Sequence, residues 1–172
     1  MTTRIGGVSE LRRAFEGVRQ DMRLRTSRAM VAGAGGVLRK EARTLAQQQG
    51  LQLTGALVKN IVIKRERTPT GLTQYNLGVR HGKALGKNAA KKLVLNPKTG
   101  RVTSVYINDP FYWWFLEKGR NQYAGDGTRR RPFLRRVEAT PFLAPALENK
   151  QAEAIEAMGR RLDAAIRRAN RP

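Results

Sequence analysis

Asp109-Pro110-Phe111-Tyr112-Trp113-Trp114-Phe115-Leu116-Glu117-Lys118-Gly119 sets five aromatic residues in a row, both tryptophans of the 172-residue chain among them. Asp109 suits a helix N-cap, Pro110 the first helical position and Gly119 the stop. The helix so bounded is apolar nearly all round, so it is expected to be covered on several sides. Such a helix in mid-chain needs elements before and after it to do the covering.

Upstream, residues 92–95 and 101–107 lean towards strand and flank Asn96-Pro97-Lys98-Thr99-Gly100. Pro presets φ and Gly accepts φ > 0, which predicts a hairpin. Ile61-Val62-Ile63 opens an earlier strand, Thr68-Pro69-Thr70-Gly71 turns it, and residues 73–80 return. Residues 81–92, basic and Gly-containing, read as a mobile loop. Residues 9–23 place Leu11, Phe15, Val18 and Met22 at helical steps, with Ser9 as N-cap. Residues 26–49 form a second helix with Met30, Ala34, Val37, Leu38 and Leu45 on one side. Gly33, Gly35 and Gly36 each weaken it by about 1 kcal/mol relative to Ala. They are expected to mark a kink or the close approach of another helix. Gly50 ends that helix, and Thr54 is placed to cap a short element that follows.

Downstream, residues 120–131 form a polar loop rich in Gly and Arg. Thr140-Pro141-Phe142-Leu143-Ala144-Pro145-Ala146-Leu147 leads into the last helix, with Pro145 in its first turn. Leu147, Ala154, Ile155, Met158, Leu162, Ala165 and Ile166 make one stripe. Arg167, Arg168 and Arg171 sit at its end, where the macrodipole favours cations. The predicted fold class is α+β, a small antiparallel sheet packed with an N-terminal helical region and a long C-terminal helix. One domain spans residues 1–172: a helical region at 8–49, the sheet with short helices at 54–119, a basic loop at 120–136 and the C-terminal helix at 145–169.

Lys and Arg number 34 against 13 Asp and Glu, a net charge of +21. Such a field draws phosphate backbones, anionic membranes or acidic proteins, and it repels a second isolated copy. Cysteine is absent, which excludes disulfides, thiolate chemistry and Cys-based metal sites. Residues 1–7 lack the apolar core of a secretory signal, and no apolar run is long enough for a membrane helix. A soluble intracellular setting is expected.

Catalysis finds little support in the residues. The single histidine, His81, is either a base or ligand or an ordinary turn residue, and nothing in sequence supplies the partner a base needs. The carboxylates are scattered, and no phosphate-cradling glycine motif occurs. No enzyme activity, cofactor or metal is expected. The aromatic cluster reads as buried core or subunit contact, with base stacking as the rival. Trp113, Trp114, Phe115 and Leu116, with Leu147, Ile155, Met158 and Leu162 of the last helix, are the candidate interface or core residues. The run Thr128-Arg129-Arg130-Arg131-Pro132-Phe133-Leu134-Arg135-Arg136 is the densest basic stretch. Arg129, Arg130, Arg131, Arg135 and Arg136 are the candidate partner-binding residues, facing phosphate or acidic protein, against the alternative of a solvated loop.

Three pieces recur together in one order: Thr54-Gly55-Ala56-Leu57, the aromatic-Leu-Glu-x-Gly of Tyr112 to Gly119, and Pro141-Phe142-Leu143-Ala144-Pro145-Ala146-Leu147. With them the chain resembles the tail-completion or head–tail joining family of tailed bacteriophages, over roughly residues 8–168. The resemblance implies a structural virion protein, a small α+β subunit forming a ring (expected as a hexamer) at the neck, where tail meets head. It also implies head-closure and tail-terminator rings as partners, with non-specific contact to genomic DNA and no membrane. The implied location is the virion, reached from the host cytoplasm during assembly. The basic insert at 81–92 and the Arg-rich loop depart from that pattern. A free basic nucleic-acid-binding protein is the alternative function.

Overall fold

Helical periodicity at the N-terminus produces α1 (Val8–Asp21), which runs through a π-helical turn, Met22–Thr26, into α2 (Ser27–Gln48). The two expected helices are therefore joined without a loop. Ser9 lies within α1. The computed structural model describes residues 8–51, 54–68, 72–123 and 133–169. After α2 come α3 (Ala56–Asn60), β1 (Ile61–Glu66), β2 (Gln74–Val79), a 3₁₀ turn (Gly82–Leu85), β3 (Lys91–Leu95) and β4 (Val102–Tyr106). Then follow α4 (Trp113–Lys118), β5 (Arg120–Tyr123), β6 (Phe133–Val137) and α5 (Leu143–Ala169). The class is α+β, and its strands pair as three separate two-stranded sheets, β1–β2, β3–β4 and β5–β6.

The residues group into two units, Met1–Leu38 with Ile63–Asn76 and Lys150–Pro172, and Arg39–Val62 with Leu77–Asn149. In the first unit small residues let elements approach closely. A Cβ at Gly33 would sit 3.3 Å from the Arg161 side chain and 3.7 Å from the Ala157 carbonyl, so α5 is the helix that this glycine admits. A Cβ at Gly35 would lie 3.0 Å from Ile63 on β1, whereas Gly36 faces open space. Ala34, Ala154 and Ala157 are buried. The hydroxyls of Ser27 and Thr73 are 2.9 Å apart.

The second unit holds the main core: Ala42, Ala46, Leu57, Ile61, Val79, Phe142 and Ala146, with Tyr112, Trp113, Leu116 and Leu143 packed against it. Each fully buried Leu, Ile or Phe contributes about 1.5–3 kcal/mol of hydrophobic stabilisation. Gly50 (φ +70) ends α2 in a Schellman turn, its N–H donating to Gln47 O at 3.0 Å and that of Leu51 to Ala46 O at 2.9 Å. Gly55 (φ +66) is the cap of α3, and Thr54 assists it only at 3.4 Å, through the Ala56 N–H. Arg43 donates to the carbonyls of Lys59 and Ile61, tying α2 to the end of α3.

Several expectations need correction. Residues 81–92 are not one loop: they hold the 3₁₀ turn and the start of β3, and the Gly82 N–H is held by both Asp109 oxygens at 3.0 Å. Asp109 is thereby occupied and does not cap α4, which begins at Trp113 after Tyr112. The basic loop at 120–136 is in part a hairpin, since β5 pairs antiparallel with β6 around an irregularity at Gln122/Tyr123. The predicted turn at Pro69-Thr70-Gly71 lies outside the described residues.

Candidate partner-binding surface

The surface is positioned by a lock. α4 carries Leu116 into the core, and Glu117 beside it reaches the start of α5. Its carboxylate accepts the N–H groups of Phe142 (3.0 Å) and Leu143 (3.1 Å) on one oxygen and of Ala144 (2.9 Å) on the other. These amides have no intrahelical partner, and the helix N-terminus favours negative charge. Gly119 (φ +71) follows, and a Cβ there would come within 2.8 Å of Val137 O. The three sequence pieces thus meet in one unit: Leu57 in the core, Leu116 and Glu117 beneath α5, and Phe142 fully buried at its start.

With α4 fixed, its outer side is fixed too. A helix of six residues turns only one face inward, and Trp113 and Leu116, three apart, take that face. Trp114 (53% exposed), Phe115 and Phe111 remain open to solvent. Trp113 and Trp114 pack edge to face at 5.4 Å, as do Phe111 and Tyr112 at 5.9 Å. Lys118 lies 5.8 Å from the Trp114 ring and Arg120 5.4 Å from that of Phe115, so the open aromatics carry cations on their faces. The expected all-round cover is therefore absent within the described residues of the chain.

The β3–β4 ribbon is the second open part. Its register pairs Lys91 with Tyr106, Leu93 with Ser104 and Leu95 with Val102. Pleating puts Leu93, Leu95, Val102 and Tyr106 on one face and Val94, Thr103 and Val105 on the other. Leu93 is 76% exposed, Leu95 61% and Val102 59%, and Val94, Val105 and Ile107 are exposed as well. The ribbon foot is anchored by Ile107 N–H to Ala90 O at 2.9 Å and by the Asp109–Gly82 contact. His81, exposed, stands 6.4 Å from the Trp113 ring. A cleft of about 430 Å³ at this foot is lined, among the described residues, by Gly50, Leu51, Thr54, Asn108, Asp109, Tyr112 and Leu116.

The remaining candidates fall as follows. Arg129, Arg130 and Arg131 lie outside the described residues. Arg135 and Arg136 are exposed on β6, where Arg135 Nε donates to Gln122 Oε1 at 2.9 Å and Arg136 faces Asn121. Beside them Tyr123 and Phe133 pack edge to face at 6.0 Å, both exposed. On α5, Leu147 and Ile155 point outward, while Met158 and Leu162 are half-buried. The buried positions are Ala146, Ala154 and Ala157. The predicted stripe holds in part: Ala154 is buried and Met158, Leu162 and Ala165 are half-buried, whereas Leu147, Ile155 and Ile166 are exposed, and Lys150 (φ −120°, ψ 15°) interrupts the helix after Leu147. Among the described residues no three His, Asp or Glu side chains gather to hold a metal, and no helix is long and apolar enough to cross a membrane. Sequence reasoning missed the Glu117 lock and the exposure of the ribbon. A carboxylate inside an apolar helix and the absence of any carboxylate from residue 67 to residue 108 were the available signals.

No family model matches the chain, and neither the curated proteins nor the solved structures contain a match to it.

Proposed function

We propose that the chain is a structural subunit of a tailed-phage neck, assembling into a ring that joins tail to head. The observation that carries this reading is the open apolar surface of Leu93, Leu95, Val102, Phe111 and Trp114 on an otherwise well-locked unit. Surface of that kind marks assembly, because an isolated monomer that keeps it exposed is prone to aggregate. The ordered motifs point to the neck specifically, and the meeting of Leu57, Leu116 and Phe142 in one core, with Glu117 hydrogen-bonded to Phe142, supports reading them as a set. On this reading the chain catalyses no reaction. It takes part in the virion with head-closure and tail-terminator rings as neighbours, and its +21 charge is balanced by acidic rings or by the passing DNA.

The test is the assembly state of the purified chain, by mass measurement in solution and by electron microscopy, alone and with the neighbouring neck proteins. Rings, expected as hexamers, or stable co-complexes with those proteins are the predicted result. A monomer at all concentrations that ignores the neck proteins and binds duplex DNA tightly would overturn the reading in favour of a free nucleic-acid-binding protein.

A further inference from the structure

From residue 67 to residue 108 the chain contains eight Lys and Arg residues (Arg67, Arg80, Lys83, Lys87, Lys91, Lys92, Lys98, Arg101) and no Asp or Glu. The β3–β4 ribbon lies within this stretch. Lys91 and Lys92 stand at its foot, Lys98 and Arg101 at its tip, and the exposed aliphatic residues Leu93, Leu95 and Val102 between them. Five-residue strands at about 3.3 Å per residue separate the two basic ends by roughly 16 Å. Among the described residues neither β3 nor β4 has a second strand neighbour, which leaves both outer edges without strand pairing there. A two-stranded ribbon with no covered face is marginal in water by itself.

We infer that the ribbon is a docking arm for an acidic protein, whose extended segment pairs with an open edge and lays apolar residues on Leu93, Leu95 and Val102. Its carboxylates then meet the basic residues at foot and tip. Charge complementarity decides the occupant. A second copy brings a matching ribbon with four more cations and no anion, which opposes ribbon-to-ribbon pairing. Nucleic acid satisfies the cations but gives little to aliphatic side chains exposed on both faces. An acidic strand satisfies charge, apolar surface and backbone edge together, the mode of recognition in which an added strand supplies main-chain hydrogen bonds and alternate side chains supply specificity. The inference draws on the same exposed ribbon residues as the neck reading but does not require a ring, since peptide binding is read separately from assembly.

The experiment titrates the full-length chain with three probes. One is a short peptide of alternating valine and threonine flanked at both ends by glutamates. The others are an oligoglutamate of equal charge and a duplex DNA. Two variants accompany the wild type, Leu93→Ser/Leu95→Ser/Val102→Ser and Lys91→Gln/Lys92→Gln/Lys98→Gln/Arg101→Gln. The alternating peptide is expected to bind at least ~tenfold more tightly than oligoglutamate and to lose at least ~tenfold with either variant, about 1.4 kcal/mol each. Amide hydrogen exchange in β3 or β4 slows on binding. Every exchanged side chain is on the ribbon and outside the buried core, and an unchanged unfolding midpoint verifies that the variants fold. Equal affinity for the two peptides, binding unaffected by the serine variant, or ribbon-dependent binding of DNA alone would each overturn the inference. Self-association of the wild type that the serine variant abolishes, without peptide binding, would overturn it in favour of a second copy.

Discussion

Glu117 on α4 and Phe142 at the entry to α5 are joined by a hydrogen bond across 25 residues of chain, with the Phe142 N–H donating to Glu117 Oε2 at 3.0 Å. Leu143 and Ala144 donate to the same carboxylate, so one side chain satisfies three of the amides that a helix start leaves without partners. Around this junction the Thr140 N–H donates to Leu116 O at 2.7 Å and Gln49 Nε2 to Pro141 O at 3.0 Å. The aromatic helix is thus held rigidly, and the exposed rings it carries are presented in a fixed place.

Glu117→Ala removes all three acceptor contacts. Hydrogen bonds to a charged group are each worth about 1.5–3 kcal/mol, although the amides partly recover water where Ala144 is exposed. A loss of roughly 2–4 kcal/mol in urea unfolding is expected, and Glu117→Gln, which keeps one acceptor oxygen, should fall between the variant and the wild type. A Glu117→Ala protein of unchanged midpoint would mean that the lock does not stabilise the fold.

Gly119 and Gly50 share a positive φ but differ in surroundings. Alanine at Gly50 meets nothing within 4 Å and bears only the backbone strain, about 1–2 kcal/mol. Alanine at Gly119 adds a 2.8 Å clash with Val137 O and should cost measurably more. Equal thermal shifts for the two variants would contradict the close approach of β6 to the end of α4.

Trp114→Ala and Phe142→Ala separate surface from core. Phe142 is fully buried, and its truncation is expected to cost about 3–5 kcal/mol. Trp114 is half-exposed, so its truncation should cost no more than about 1 kcal/mol in the isolated chain while weakening assembly. Comparing denaturation midpoints with oligomer mass for both variants checks this. A large stability loss at Trp114 would place the ring in a core instead.

Within α2, Gly36→Ala should stabilise by about 0.5–1 kcal/mol, because helix propensity rises and the new methyl meets open space. Gly35→Ala should not, since its methyl would press to 3.0 Å from Ile63 Cγ2, a β-branched side chain with little freedom to move. Unfolding curves of the two variants decide it, and a stabilised Gly35→Ala would show that β1 does not press on this helix.

The sequence by itself determined whatever depends on local geometry and charge. The periods of α1 and α2, the stop at Gly50, the Asn96–Gly100 hairpin and the Pro145 entry to α5 are local preferences that the folded chain keeps. The +21 charge and the carboxylate-free stretch are also sequence facts that folding does not alter. Tertiary structure alone decided what each apolar face meets. Asp109 looked like a cap for α4, yet a competing donor, the Gly82 N–H, takes it. The α5 stripe looked continuous, yet the helix is interrupted at Lys150, and of the stripe Ala154 is buried while Leu147, Ile155 and Ile166 stay exposed. Trp114 looked like core or subunit contact because it is apolar. Hydrophobic burial is non-directional, so which of two apolar residues is covered depends on elements far away in sequence. For Glu117 the decisive partner lies 25 residues on, a separation at which no local propensity acts and only the packing of α4 beneath α5 brings carboxylate and amides together.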